Sequence, residues 1–357
     1  MNRTARIAAL APGLALALVA TAASSALSWV VSTVSGAAIS PLVVALVLGA
    51  ALGSSRRAPA TASTGLGWTT KHVLRAGVVL LGLKLSLGQV VDLGWRGVTV
   101  IAVTVTCTFI GTLLVGKALG VARLTRLYVA TGFSICGAVA IAAMAGTAGP
   151  REAVTRQPGG PGAAALAGAD TEAADALGTS LALVTIYGSL AIFVLPWLVS
   201  VIGLDDAQAG LWIGASVQEV AQVVAAAGMV STTALAAATV AKLARVVLLA
   251  PLTAGVSMVR RAIEPGQANR TRVAPVPLFV LGFLAAVLVR STGVLPGALL
   301  VGAETVSNLM LTAAMFALGT GVDLRRLIAT GGRPLALGAI SATIAVGVSL
   351  VGVLVLG

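Results

Sequence analysis

Apolar residues run along this chain in blocks of about 20, separated by short polar joints and almost never in strict alternation. Blocks of that length are what an α-helix needs to cross a hydrocarbon core of roughly 30 Å. The pattern predicts about eleven segments, at 8–33, 37–53, 72–91, 97–118, 127–147, 176–202, 208–229, 232–258, 274–291, 297–321 and 334–356. A β-barrel would read as short alternating stretches, so the pattern argues against one. The one long polar interruption, "AGPREAVTRQPGGPGAAALAGADTEAAD" over 148–175, reads as a flexible cytoplasmic loop from its Gly, Pro and Ala content. It leaves one transmembrane domain: an extra N-terminal helix over 1–35, a first repeat over 36–203 and a second over 204–357.

Composition agrees and removes other classes. Hydrophobic residues are 58% of the chain and charged residues 10%, with a mean hydropathy of +1.04; soluble domains average roughly 25% charged. The expected fold is therefore an all-α polytopic membrane protein in contact with a lipid bilayer. The formal net charge of +12 sits in short loops beside apolar spans, where it orients the chain, and aromatics are only 4%, so nucleic acid is not an expected partner. Cys107 and Cys136 both fall inside apolar segments, and His72 is the only histidine, which excludes a multi-histidine metal centre. Arg3 and Arg6 followed by "IAALAPGLALALVATAASSA" resemble a signal peptide. The apolar character continues through "LSWVVSTV", so the segment is read as a retained first helix with its N-terminus inside.

Positive charge then orients the rest. With Arg3 and Arg6 inside, the next inside loops hold Arg56, Arg57, Lys71, Lys117, Arg123 and Arg126. The later basic loops, with Arg260, Arg261, Arg270, Arg272, Arg325, Arg326 and Arg333, are also inside only if segments five and seven both cross or neither does. Internal similarity bears on that choice. "LGLKLSLGQVVDLGWRGV" (81–98) aligns without gaps on "LGTGVDLRRLIATGGRPL" (318–335), matching Gly82 with Gly319, Gly94 with Gly331 and Arg96 with Arg333. "GFSICGAVAIAAMAG" (132–146) pairs with "GASVQEVAQVVAAAG" (214–228). Two inverted repeats, with segments five and seven as opposed re-entrant hairpins and about nine crossings, satisfy both charge and symmetry. A pair of broken crossing helices satisfies the charge rule nearly as well.

Ionisable and polar groups at membrane depth cost about 2.5–3.5 kcal/mol each on insertion scales, so they mark cavities, partners or substrates. Gln218, Glu219 and Gln222 share one face of an otherwise Ala/Val segment, with Ser216 just before them. "SICG" (Ser134, Cys136, Gly137) holds small residues where a broken helix would aim free N–H groups at an anion. Lys242 and Arg245, three apart in "TVAKLARVVLLAP", are placed to bind an anion or to neutralise Glu219. Lys84 and Asp323 lie near the ends of the repeated segments; Asp323, flanked by Arg325 and Arg326, reads as a solvated ion pair, and Lys84, His72 and Glu304 read as interfacial. No phosphate-binding loop, dinucleotide fingerprint or nucleophile elbow is present, so neither ATP drive nor an enzyme is expected.

"TGFSICGAVAIAA", "ASVQEVAQVVAAAG", "AKLARVVLLAP" and "MFALGTGVDLRRL", in that order and spacing, resemble the YeiH-like bacterial membrane proteins over roughly residues 36–357. The customary name of that family assigns it sulfate export, and its likeness to two-repeat transporters implies inverted five-helix units. Members often carry histidine immediately before the Glu of the EVAQ motif; Gln218 stands there in this chain and cannot take up a proton near neutral pH. The resemblance and the residues together lead to an expectation of a secondary transporter of a small anion, sulfate or a related sulfur oxyanion, in the bacterial cytoplasmic membrane. Ser134, Cys136, Gly137, Ser216, Gln218, Glu219 and Gln222 line its site, Lys242 and Arg245 offset charge, and a proton or Na+ couples. A sodium- or proton-coupled carrier of an organic anion is the alternative, an intramembrane enzyme using Glu219 and Cys136 a distant third, and a homo-oligomer is compatible with all of them.

Overall fold

The computed structural model describes residues 3–35, 40–55, 59–148, 163–263, 278–321 and 331–356. Among these the regular structure is all helix, with no strand, as in an all-α polytopic membrane protein. Six helices are long and apolar enough to cross a membrane, and two shorter apolar helices accompany them. Of the basic residues that the sequence places inside, Arg56, Arg57, Arg270, Arg272, Arg325 and Arg326 lie outside the described residues, as does Asp323.

Helix starts follow local capping chemistry. After α1 (Arg3–Ser35), α2 (Pro41–Ser54) opens with Pro41 in the first turn and Ser40 Oγ accepting from Leu42 N–H. The next apolar tract is composite: α3 (Ser63–Trp68), a π turn (Thr69–Val73), α4 (Leu74–Leu81) and a 3₁₀ turn (Gly82–Lys84). It begins earlier than the predicted 72–91, because Thr69 and the apolar residues before it pack inside. α5 (Leu87–Asp92) and α6 (Gly94–Ala118) follow, then α7 (Arg123–Ser134) and α8 (Ala138–Ala148). α9 (Ala163–Ile202) begins inside the stretch expected to be loop, since "AAALAGADTEAADA" is rich in strong helix formers. α10 (Asp206–Ser216), α11 (Val220–Gly228), α12 (Thr232–Val247), α13 (Leu249–Ile263), α14 (Leu278–Ser291), α15 (Gly297–Gly319) and α16 (Gly332–Leu356) complete the set.

Two bundles result. One holds α1–α4 with α14 and α15; the other holds α6–α12 with α16. Their packing partners pair off: α2 lies on α15 as α14 lies on α4, and α7 lies on α9 as α10 lies on α12. Likewise α11 touches α9 where α8 touches α13, and α6 and α16 pack on each other. The breaks after α7 and α10, matched in sequence, thus occupy equivalent places, although the broken pair comes late in the first unit and first in the second.

Both breaks are hairpins. A Cβ on Gly132 would lie 2.8 Å from Ile141 Cδ1, whereas a continuous helix would separate nine residues by about 13.5 Å. α8 therefore folds back on α7. In the second unit Gly210 abuts Ala234 and Ala237, and Gly214 abuts Ala238 and Ala241, so α10 and α12 run in the same direction. α11, the only element between them, must run back. Small residues allow this close approach, the usual solution for helix contacts in lipid.

The hairpins also oppose one another. Ser180 reaches Thr125 O, and Val184 meets both Gly132 and Gly137, so α7 advances alongside α9 toward Val184. α9 runs on to a Gly203 turn (φ +78°), and α10 then descends until Gln222 lies against Thr185 and Gly188. The two tips meet beside the middle of α9. This geometry decides between the hairpins and the broken crossing helices of the sequence reading.

Candidate functional site

The first tip forms where α7 stops at Ser134, Ile135 takes φ −113°, ψ −98°, and Gly137 takes φ +67°, a conformation that favours glycine. A side chain at Gly137 would also meet Glu219 Cγ at 2.7 Å. The second tip forms where α10 ends at Ser216 and Val217 and Glu219 become extended (ψ 148° and 147°) before α11. Each tip thus brings one helix C-terminus and one helix N-terminus to the centre of the molecule.

The C-terminal ends carry partial negative charge and unpaired carbonyls. Two cations from α12 take them, both wholly buried. Lys242 Nζ donates to Ile135 O and to Val217 O, each at 2.7 Å. Arg245 Nε and Nη2 donate to Ser134 O (3.1 and 2.8 Å), and Nη2 also reaches Phe133 O at 2.8 Å. Its Nη1 donates to Val217 O at 3.0 Å and Gly214 O at 3.4 Å. The cations therefore join the two tips through backbone. The expected pairing with Glu219 is not formed: among the described residues the one ion pair is Lys84 Nζ–Glu304 Oε1, 2.6 Å, between the 3₁₀ turn after α4 and helix α15. The helix ends supply the counter-charge in place of a carboxylate.

The N-terminal ends carry partial positive charge, and here the acceptor is Glu219. Its Oε1 accepts from Ala138 N–H, the first residue of α8, at 3.3 Å. Its own N–H donates to Gln222 Oε1 at 3.2 Å, within a capping box that opens α11. Gln222 Nε2 extends to Thr185 O (3.5 Å), the amide lying over Gly188 where no Cβ would fit.

A cavity of about 40 Å³ lies against this side, lined by Cys136, Ala138, Val139, Glu219 and Val220 of the tips and by Val246 of α12. The opposite bundle closes it with Leu42, Val78, Leu81, Leu311 and Met315. The volume is about three times the minimum that holds one water, enough for a small ion and little more.

The predicted site residues divide accordingly. Glu219 and Cys136 line the cavity, and Gly137 supports Glu219 from behind. Ser134 and Ser216 turn their hydroxyls onto carbonyls of their own helices, Thr131 O and Trp212 O. Gln218 donates to Ser216 O at 3.3 Å, while its buried Oε1 has no hydrogen-bond partner. Lys242 and Arg245 hold the tips together, and Gln222 ties the second tip to α9. His72, expected at an interface, is exposed and stacks on Trp68. Two kinds of group escaped the sequence reading. The backbone N–H of Ala138 is invisible to any search for side chains, and the apolar wall from the opposite bundle looks like ordinary membrane packing. The Lys84–Glu304 pair was separable into two interfacial charges but not into partners, 220 residues apart in sequence.

Comparison with known proteins fits a membrane family. The chain matches the model of the family described as Conserved hypothetical protein 698 over residues 12–157 and 159–338. It is 39% identical over 316 residues to a UPF0324 membrane protein of Corynebacterium glutamicum, covering 88% of this chain and 85% of that one. A UPF0324 membrane protein of Pseudomonas putida is 36% identical over 308 residues, covering 85% and 81%. One of Agrobacterium fabrum is 32% identical over 292 residues, covering 82% and 77%. No solved structure matches the chain.

Proposed function

The chain belongs to the Conserved hypothetical protein 698 family, and we propose that it is a secondary transporter of a small anion working by alternating access in the bacterial cytoplasmic membrane. The observation that carries this reading is Glu219, a buried carboxylate on the N-terminus of α8 that also lines a cavity between two helical bundles. Two helix N-termini, at Ala138 and Val220, border that cavity, and such ends attract anions. Lys242 and Arg245 behind the tips offset the two helix C-termini, which leaves the N-terminal ends of α8 and α11 as the partial charges that face the cavity. Sulfate or a related sulfur oxyanion is the first candidate. The small cavity favours it over the bulkier organic anions of the alternative reading.

In this mechanism Glu219 is the coupling group. Protonated, it releases Ala138 N–H to the substrate; ionised, it takes the N–H back. Motion of one bundle against the other exposes the cavity to either side in turn. Sodium held by the carboxylate and the neighbouring amides is the competing form of coupling. In proteoliposomes preloaded with unlabelled sulfate, sulfite or thiosulfate, the matching radiolabelled anion is expected to enter by saturable, protein-dependent counterflow. Uptake equal to protein-free liposomes for all of these, and for sulfonates and carboxylates, overturns the proposal.

A further inference from the structure

Lys242 is wholly buried near the middle of the Thr232–Val259 span. Its ammonium touches Ile135 O and Val217 O, both at 2.7 Å, where α7 and α10 lose helical geometry. It forms no ion pair with any described carboxylate. Its neutralising charge is thus a pair of helix C-termini and their freed carbonyls. In membrane carriers those two features, half-helix ends and unwound carbonyls, are the ligands that hold coupling cations. An ion arriving from solution would find them already occupied by a cation tethered to α12.

We propose that the junction of the two hairpin tips is a monovalent-cation seat that the chain fills with its own Lys242, so that neither Na+ nor K+ occupies that position. The seat is a binding property of the fold and stands apart from the transporter reading. Lys242 is a positioning residue in this arrangement. It holds Ile135 and Val217, and through them the segments that carry Gly137 and Glu219, without lining the cavity.

Purified protein and the Lys242→Ala variant are melted in choline chloride and in NaCl, KCl or ethylammonium chloride at matched ionic strength. The native protein is expected to melt at one temperature in all four. Lys242→Ala is expected to melt lower in choline and to regain roughly half or more of the loss, saturably, in ethylammonium or Na+. Lys242→Arg, which keeps the charge, is expected to ignore the salt. A Na+- or K+-specific rise that persists in Glu219→Gln, where the carboxylate cannot hold the ion, overturns the proposal, as does a Lys242→Ala variant that treats every cation as it treats choline. If Lys242→Ala does not fold in choline, the same series is read as yield of monodisperse protein. Recovery in ethylammonium or Na+ supports the seat, and failure in every salt overturns it. A seat found in a protein that moves no anion would sink the transporter reading and leave the seat standing; anion flux with no seat would do the reverse.

Discussion

The two faces of the hairpin junction treat buried charge in opposite ways. On the face toward α12, Lys242 and Arg245 direct their charge to five backbone carbonyls, those of Phe133, Ser134, Ile135, Gly214 and Val217, and stand away from the cavity. On the other face Glu219 is bound to α8 by one 3.3 Å hydrogen bond and borders open space. A saturated charge is costly to disturb and has little reason to change partners. A weakly held carboxylate beside a cavity can exchange its partner at low cost. The contrast assigns the cations to architecture and the carboxylate to work.

The largest effect is expected from breaking the cation face. Arg245→Met leaves carbonyls of both tips buried without donors, a loss on the order of 3–5 kcal/mol, and should show as a strongly lowered melting temperature or loss of folded protein. A melt unchanged from the native protein would mean that Arg245 does not join the tips. Next is the hinge beneath the carboxylate. Gly137→Ala places a Cβ at φ +67° and against Glu219, and strain of that kind costs about 1–3 kcal/mol; Gly228→Ala, at a position with open space around it, is the matched control and should melt like the native protein. The smallest effect is expected far from the junction. Lys84→Ala removes a partly exposed ion pair, worth about 0–1 kcal/mol, so its melting temperature and anion flux should both match the native protein within error. A large loss there would relocate the important electrostatics to the bundle of α1–α4, α14 and α15.

Much of this was legible in the sequence, and the limits have physical causes. Span length and apolar pattern gave the class, and the paired segments 132–146 and 214–228 marked both tips, because tight turns need small residues and caps need polar ones. Gln218, Glu219, Gln222, Lys242 and Arg245 were conspicuous because each is expensive in hydrocarbon. Their division of labour was not legible. Charge complementarity alone suggested Lys242 or Arg245 for Glu219, yet helix ends are counter-charges too, and they exist only once the helices break. The start of α9 at Ala163 was missed because Gly and Pro upstream outweighed an alanine-rich stretch that favours helix. Val78, Leu81, Leu311 and Met315 carry no chemical signal; only the meeting of two bundles makes them a cavity wall.

The most direct test is the anion flux of Glu219→Gln in proteoliposomes across a pH series, read beside its melting temperature. Glutamine preserves the shape of the side chain and one acceptor for Ala138 N–H but carries no titratable proton. The fold is expected to survive with a melting temperature close to native, while proton-dependent flux is lost and any residual exchange becomes insensitive to pH. Flux with native magnitude and native pH dependence would contradict the assignment of Glu219 as the working carboxylate.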